Sequence, residues 1–335
     1  MTAPAVSVLM PVHNEEQHLA AALSSLQRQT LQNWELIAVD DGSTDATGKI
    51  LEEYAGKDRR IRVMSRANSG LVSSLNAGFD VCTSEFVARM DGDDVCHPHR
   101  LEKQYNYLQH HREIGVVTCN FRHFPRQGLK VGMLAYEQWQ NSLRDHALIM
   151  RDRFVESPIV HPTTMFRKRA VEAVGGYRDM GWAEDYDLWL RLADHGCRFA
   201  MLDEVLFFWR DRPERYTRTN AVCSPDAFRR CKASFLRQGF LAGHNEVTLI
   251  GAGLEGRAWL KALAAEQVRV ARWVDVDPRK RGQVLHGAPV VQPDEVSPDS
   301  GKMLVTIGTR GARDQVRQWA ESRGLREGKD FVCVT

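Results

Sequence analysis

Apolar positions along the first hundred residues fall into one repeating pair of patterns. Val6-Ser7-Val8-Leu9-Met10-Pro11-Val12 is a short β-rich run, after which Leu19, Ala22, Leu23 and Leu26 recur at helical spacing. The pair then returns three times. Glu35 to Val39 stops at Asp40-Asp41-Gly42-Ser43 and leads into an amphipathic segment over Ala46 to Tyr54. Ile61 to Met64 precedes a helix near Leu71 to Phe79, and Phe86 to Met90 runs into Asp91-Gly92-Asp93-Asp94 before a helix carrying Leu101, Tyr105 and Leu108 on one face. Strands alternating with helices through short connections predict an α/β fold with a mostly parallel sheet. Ligands of such sheets bind beyond the carboxyl ends of the strands. Pro11-Val12-His13-Asn14, Asp40-Asp41 and Asp91 to Asp94 all fall at those ends and are expected to converge on one crevice.

Beyond residue 112 the pattern loosens. A strand is expected at Val116 to Cys119, a polar region to about residue 157, and a helix from Ala183-Glu184-Asp185 through Leu188, Trp189 and Leu192. Ser224-Pro225-Asp226 reads as a helix start and Gly239 as its stop, which puts a domain boundary near residue 242. From Val247 a strand leads to Gly251, Gly253 and Gly256, spaced G-x-G-x-x-G, then a helix and the strand Val270 to Val274 ending at Asp275. That succession predicts a small Rossmann-like α/β domain over 243–335. NAD(P) or another nucleotide on Gly251, Gly253, Gly256 and Asp275 is one reading; a structural domain without a ligand is an equal one.

Bulk properties narrow the field little. The 335 residues suffice for two domains. Forty-five Lys and Arg against 43 Asp and Glu leave a net charge of +2, so charge gives no reason to expect a nucleic-acid partner. Seven cysteines without a C-x-x-C pair argue against a disulfide framework or structural zinc and suit a reducing cytoplasm. No secretory signal or run of 18 apolar residues is visible, which leaves peripheral attachment at the inner face of a membrane open.

Three carboxylates within four residues at a strand end repel one another unless a cation or proton compensates. Asp91, Asp93 and Asp94 offer oxygen ligands only, which suits Mg2+ or Mn2+; an exposed Asp-Gly turn reads equally well from the cluster by itself. Asp40-Asp41 at a neighbouring strand end tips the pair of clusters towards a nucleoside-diphosphate site.

These motifs resemble those of the inverting family 2 glycosyltransferases of GT-A fold. The resemblance continues through His161-Pro162-Thr163-Thr164-Met165-Phe166-Arg167, Gly175-Gly176-Tyr177 and Glu184-Asp185-Tyr186-Asp187-Leu188-Trp189, and covers roughly residues 5–220. It implies a GT-A nucleotide-sugar transferase domain over 1–242. Pro11, His13, Glu15 and Asp41 would then lie on the donor side, with Asp41 at the base edge. Asp91 would face the ribose, Asp93 would hold the metal, and Asp94 would support either role. Asp185 would be the catalytic base, with Glu184 and His161 on the acceptor side. The activity implied is single-sugar transfer from a nucleotide-diphosphate donor, a UDP-sugar first, to a carbohydrate or lipid-linked acceptor in surface polysaccharide synthesis. The processive Q-x-x-R-W segment is absent.

Arg210, Arg212, Arg215 and Arg218 follow, interleaved with Trp209 and Tyr216. They read either as a mobile lid over the diphosphate or as a solvated basic loop. A sugar-nucleotide oxidoreductase or epimerase using the C-terminal domain, and a non-catalytic nucleotide-sugar-binding protein, remain the rival readings; no Tyr-x-x-x-Lys pair supports the first. Oligomeric state is not legible.

Overall fold

The computed structural model describes residues 3–309 and 311–335. The chain divides into two compact units: Met1–Ile149, Ile159–Met180 and Glu184–Arg215 form the first, and Met150–Pro158, Gly181–Ala183 and Tyr216–Thr335 the second.

Among the described residues, the first unit is built on an eight-stranded sheet. Its strands are β1 (Val6–Val12), β2 (Trp34–Asp41), β3 (Ile61–Arg66), β4 (Phe86–Arg89), β5 (Val95–Cys96), β6 (Ile114–Phe124), β7 (Met165–Arg167) and β8 (Arg198–Arg210), in the order β3-β2-β1-β4-β7-β6-β8-β5. β3, β2, β1 and β4 are parallel, as the intervening helices α1 (Leu19–Gln27), α2 (Thr47–Lys57) and α3 (Leu71–Val81) require. β7 runs antiparallel to both β4 and β6. Every residue of β1 and β2 is buried, as expected of central parallel strands covered on both faces.

Register carries the functional consequence. Val12 lies opposite Asp40, Asp41 opposite Arg66, and Leu9 opposite Arg89. The carboxyl ends of β1, β2 and β4 therefore share one edge, and the three polar punctuations do meet there. Helix α4 (Arg100–His110) follows as expected. The segment read as an irregular polar region instead contains α5 (Val131–Asn141) and α6 (His146–Asp152). Half-buried Leu134 and Tyr136 alternate there with polar residues that are themselves buried, Glu137 and Gln140, which blurs the apolar period. Helices α7 (Lys168–Ala173) and α8 (Glu184–Asp194) complete the elements that bear on the site.

Beyond the short segments Met150–Pro158 and Gly181–Ala183, the second unit contains α9 (Tyr216–Thr219) and α10 (Pro225–Gln238). α10 starts as its sequence foretells, with the Ser224 hydroxyl accepting the Ala227 N–H and Pro225 in the first turn. Its Arg229 pairs with Glu255 at 3.3 Å, so α10 packs with the later sheet and the boundary expected near residue 242 falls inside this unit. The sheet, six-stranded among the described residues, comprises β9 (Glu246–Ile250), β10 (Arg269–Val274), β11 (Val284–Leu285), β12 (Ala288–Val291), β13 (Met303–Val305) and β14 (Phe331–Cys333), with helices α11 (Leu254–Ala265) and α12 (Ala312–Ser322). β12, β10, β9, β13 and β14 are parallel in that spatial order, which in chain order is 3-2-1-4-5. Trp259, Trp273, Leu249, Leu263 and Met303 are fully buried in its core.

Candidate active site

The loops after β1 and β2 are laced together. Asn14 adopts a left-handed backbone (φ 53°), which asparagine tolerates. Its N–H donates to Ser43 Oγ at 3.0 Å and its Oδ1 accepts the Thr44 N–H at 2.8 Å. The Glu15 N–H reaches Thr47 Oγ1 at 2.7 Å, and exposed His13 places Nδ1 3.0 Å from the Asp41 carbonyl oxygen. Pro11 is buried inside β1. Asp40 accepts the Ser43 N–H at 3.0 Å.

Asp41 serves the next loop: Oδ1 accepts from the Ser69 N–H at 3.0 Å and Oδ2 from the Gly70 N–H at 2.9 Å. Burial opposes its charge, yet the Ser69 and Gly70 donors outweigh that and hold the carboxyl below its ordinary range.

At the end of β4, Asp91, Asp93 and Asp94 each place a carboxylate oxygen within 4.8 Å of the others. Arg89, the buried last residue of β4 two positions earlier, donates from Nη2 to Asp91 Oδ1 at 2.6 Å. Asp93 accepts from Arg212 Nε at 2.9 Å. Asp94 accepts the Arg210 N–H on one oxygen at 2.6 Å, while its other oxygen is buried with no donor. Desolvation and then Asp91 raise the Asp93 carboxyl; desolvation and then Asp93 and Asp91 raise Asp94 well above its ordinary range. Glu15, which pairs with Arg212 Nη2, is pushed to about 7 by burial and by Asp93. Gly92 makes the turn compatible with β1, because a Cβ there would meet Val12 Cγ1 at 2.7 Å. An all-oxygen set of mutually repelling carboxylates with an orphaned buried oxygen fits a hard divalent ion such as Mg2+ or Mn2+.

Glu184 and Asp185 open α8, whose N-terminal dipole favours acids. Glu184 is buried and lies 3.8 Å from His161 Nδ1, while Asp185 is half-buried with Oδ1 accepting the Tyr186 N–H at 2.7 Å. Burial raises both carboxyls above their ordinary range, the Glu184–Asp185 repulsion adding to Glu184. His161 is held by the Tyr177 hydroxyl at 2.9 Å and by the edge of Trp189; burial and then the Arg89 charge keep it well below its ordinary value, and therefore neutral.

Arg212 and Arg215 differ. Arg212 enters the carboxylate cluster, whereas buried Arg215 stacks over the Trp209 ring at 3.9 Å. Arg218 belongs to α9 in the second unit.

In that second unit Gly251 has φ 109°, and a Cβ on Gly256 would collide with the Gly251 carbonyl, so α11 packs closely on β9. Gly253 has open space around it. Asp275 Oδ2 accepts the Ala252 N–H at 3.1 Å and Lys280 Nζ at 2.6 Å, and Oδ1 accepts the Asp277 N–H at 2.9 Å.

Three participants escaped the sequence reading. Arg89 interrupts the otherwise apolar run Phe86-Val87-Ala88-Arg89-Met90, a buried-strand cation two residues before an acidic cluster, and that was the available signal. Ser69 and Gly70 gave none, because their part is played by main-chain N–H groups.

The glycosyl transferase family 2 model matches residues 7–175. Glycosyltransferase EpsE of Bacillus subtilis is 34% identical over 67% of this chain and 79% of its own length. The amylovoran biosynthesis glycosyltransferase AmsE of Erwinia amylovora is 32% identical over 71% of this chain and 89% of its own. Among solved structures, Staphylococcus aureus TarS residues 1–349 in complex with UDP superposes with a TM-score of 0.54 at 21% identity, covering 78% of this chain and 70% of that one. The mannosyltransferase PcManGT of Pyrobaculum calidifontis in complex with GDP-Man and Mn2+ gives 0.52 at 19%, covering 80% and 70%.

Proposed function

This chain belongs to glycosyl transferase family 2, its first unit has the GT-A fold, and we propose that it transfers one sugar from a nucleoside-diphosphate donor to an acceptor hydroxyl with inversion, in the synthesis of a surface polysaccharide. The observation that carries the reading is the meeting of Asp41, Asp91–Asp94 and the interlaced β1 and β2 loops on one sheet edge.

Asp41, with the Asn68–Gly70 loop folded onto its carboxylate, offers its remaining acceptor capacity to the base edge, and exposed His13 flanks it. Asp91, oriented by Arg89, faces the ribose and diphosphate side. Asp93 and Asp91 would hold a divalent ion, with Asp94 shaping the site from beneath; bound there, the ion supplies Lewis-acid neutralisation of the diphosphate. Asp185 takes the proton from the attacking acceptor hydroxyl. As the new bond to the anomeric carbon forms, the bond to the β-phosphate oxygen breaks and the nucleoside diphosphate departs. Glu184, protonated at neutral pH, donates a hydrogen bond on the acceptor side, and His161 with Tyr177 holds the floor beneath it. A UDP-sugar is the first donor to test, since TarS is described in complex with UDP.

The second unit follows the first five strands of the 3-2-1-4-5-6 order of doubly wound dinucleotide-binding folds, and we read it as Rossmann-like. Asp275 is committed to Ala252 and Lys280, which favours a structural part over cofactor binding.

The test is nucleoside-diphosphate release from a panel of nucleotide sugars with Mn2+ and simple sugar acceptors, product configuration being read from anomeric coupling. Inverted product from wild type and none from Asp93→Ala supports the reading; equal activity in Asp93→Ala, or retention, refutes it.

A further inference from the structure

Arg212 bridges two carboxylates delivered by different strand ends: Nε donates to Asp93 Oδ2 at 2.9 Å, and Nη2 pairs with Glu15 Oε1. Its segment is fastened on both sides. Upstream, Arg210 gives its N–H to Asp94 and its Nε to the Asp93 carbonyl at 2.6 Å. Downstream, Arg215 lies over Trp209, whose ring also stacks on His123 at 5.1 Å and meets Phe121 edge-on at 5.2 Å. The short stretch between these anchors carries one guanidinium into the acidic cluster.

That guanidinium occupies the carboxylate a divalent ion would take. Asp93 belongs to the triad whose ligand oxygens lie within 4.8 Å of one another. Two cations sharing one carboxylate at such distances repel by several kcal/mol at an effective protein dielectric of ~20, so metal and Arg212 compete for Asp93. A guanidinium released there sits beside the place where the diphosphate arrives, and its planar fork suits phosphate oxygens.

We propose that Arg212 is an exchangeable counter-ion: it neutralises Asp93 and Glu15 before metal and donor bind, yields Asp93 to the incoming divalent ion, and transfers its charge to the donor diphosphate. The proposal rests on the donor-site reading given above and adds an order of events to it. It also separates the two arginines, Arg215 being an anchor and Arg212 the group that moves.

The exchange predicts effects of opposite sign from one substitution. Without nucleotide, Arg212→Ala loses the competitor, so Mn2+ alone, followed by the electron paramagnetic resonance signal of the free ion, binds about three- to tenfold more tightly than to wild type. With saturating Mn2+, UDP binds about tenfold more weakly by calorimetry, because the diphosphate has lost its partner. Glu15→Gln, which frees one end of the guanidinium and leaves Asp93 in place, tightens Mn2+ binding to a smaller degree. Melting temperatures of both variants are recorded so that unfolding is not mistaken for weak binding. Mn2+ affinity unchanged or weaker in folded Arg212→Ala overturns the exchange, and weakening of both ligands would mark Arg212 as a purely structural support. If wild type and variant alike bind neither Mn2+ nor UDP, the donor-site reading itself fails, an outcome distinct from equal Mn2+ binding in both, which removes only the exchange.

Discussion

The main-chain N–H of Arg210 donates to one carboxylate oxygen of Asp94 at 2.6 Å, and the other oxygen of Asp94 is buried without a donor. The third acid of the cluster therefore ties the end of β8 to the end of β4, 116 residues away in sequence. Asparagine preserves the acceptor for Arg210 while alanine leaves that N–H unpaired. Thermal or urea unfolding should place Asp94→Asn within about 1 kcal/mol of wild type and Asp94→Ala about 1–3 kcal/mol below it. Equal losses in both variants would show that the carboxylate charge, not this hydrogen bond, is what matters.

Asp41 gathers main-chain donors on both oxygens, from Ser69 and from Gly70. An asparagine amide can accept on one side only and presents N–H to N–H on the other. Asp41→Asn should lose about 1–3 kcal/mol at pH 7. The sign of the pH effect follows from the depressed folded value: the stabilisation is full above the unfolded carboxyl value of ~3.9 and disappears as pH falls through the folded one. The gap between variant and wild type in urea midpoint should accordingly narrow when pH is lowered to about 3.

Glu184 and Asp185 are both raised, Asp185 to about 6 and Glu184 to about 8. A base that must be ionised gives turnover an acid limb near pH 6, more than a unit above an ordinary aspartate. Asp185→Asn should reduce turnover roughly 10²- to 10⁴-fold with the protein still folded. For stability the direction reverses from Asp41. A raised carboxyl favours the fold below its unfolded value, and that contribution is lost as pH rises through about 8. Wild type should melt several degrees lower at pH 8.5 than at pH 5.5, and Glu184→Gln should flatten that slope.

Gly42 has φ +70°, and a Cβ there would lie 2.6 Å from the Asn68 main-chain nitrogen. Gly42→Ala combines a left-handed backbone with a backbone clash and should cost about 1–3 kcal/mol. The Asn68–Gly70 loop is also what folds onto Asp41, so nucleotide affinity should fall with stability. Unchanged UDP binding in a destabilised Gly42→Ala would separate that loop from the donor site.

The parallel half of the sheet was legible because β1, β2 and β4 are largely apolar, buried runs ended by polar residues. Parallel pairing then forces those ends onto one edge, so Asp41 and Asp91 could be placed together before any coordinates. β8 was not legible. It carries Asp203 and Glu204 mid-strand and pairs with β6 through register shifts around Cys119–Phe121, so its thirteen residues show no steady alternation. Arg212 illustrates the same limit at the site. Its presence in an Arg-rich stretch is plain in sequence, but its bond to Asp93 depends on where β8 ends, and that is set by pairing with β6.

The most direct measurement is a calorimetric titration of UDP in saturating Mn2+ against wild type, Asp93→Ala and Asp185→Asn. A nucleotide site on Asp93 with a base at Asp185 requires binding to fall at least about tenfold in Asp93→Ala and to stay near wild type in Asp185→Asn. UDP binding to folded Asp93→Ala with wild-type affinity, or its loss in Asp185→Asn alone, would contradict the assignment of the cluster as the diphosphate anchor.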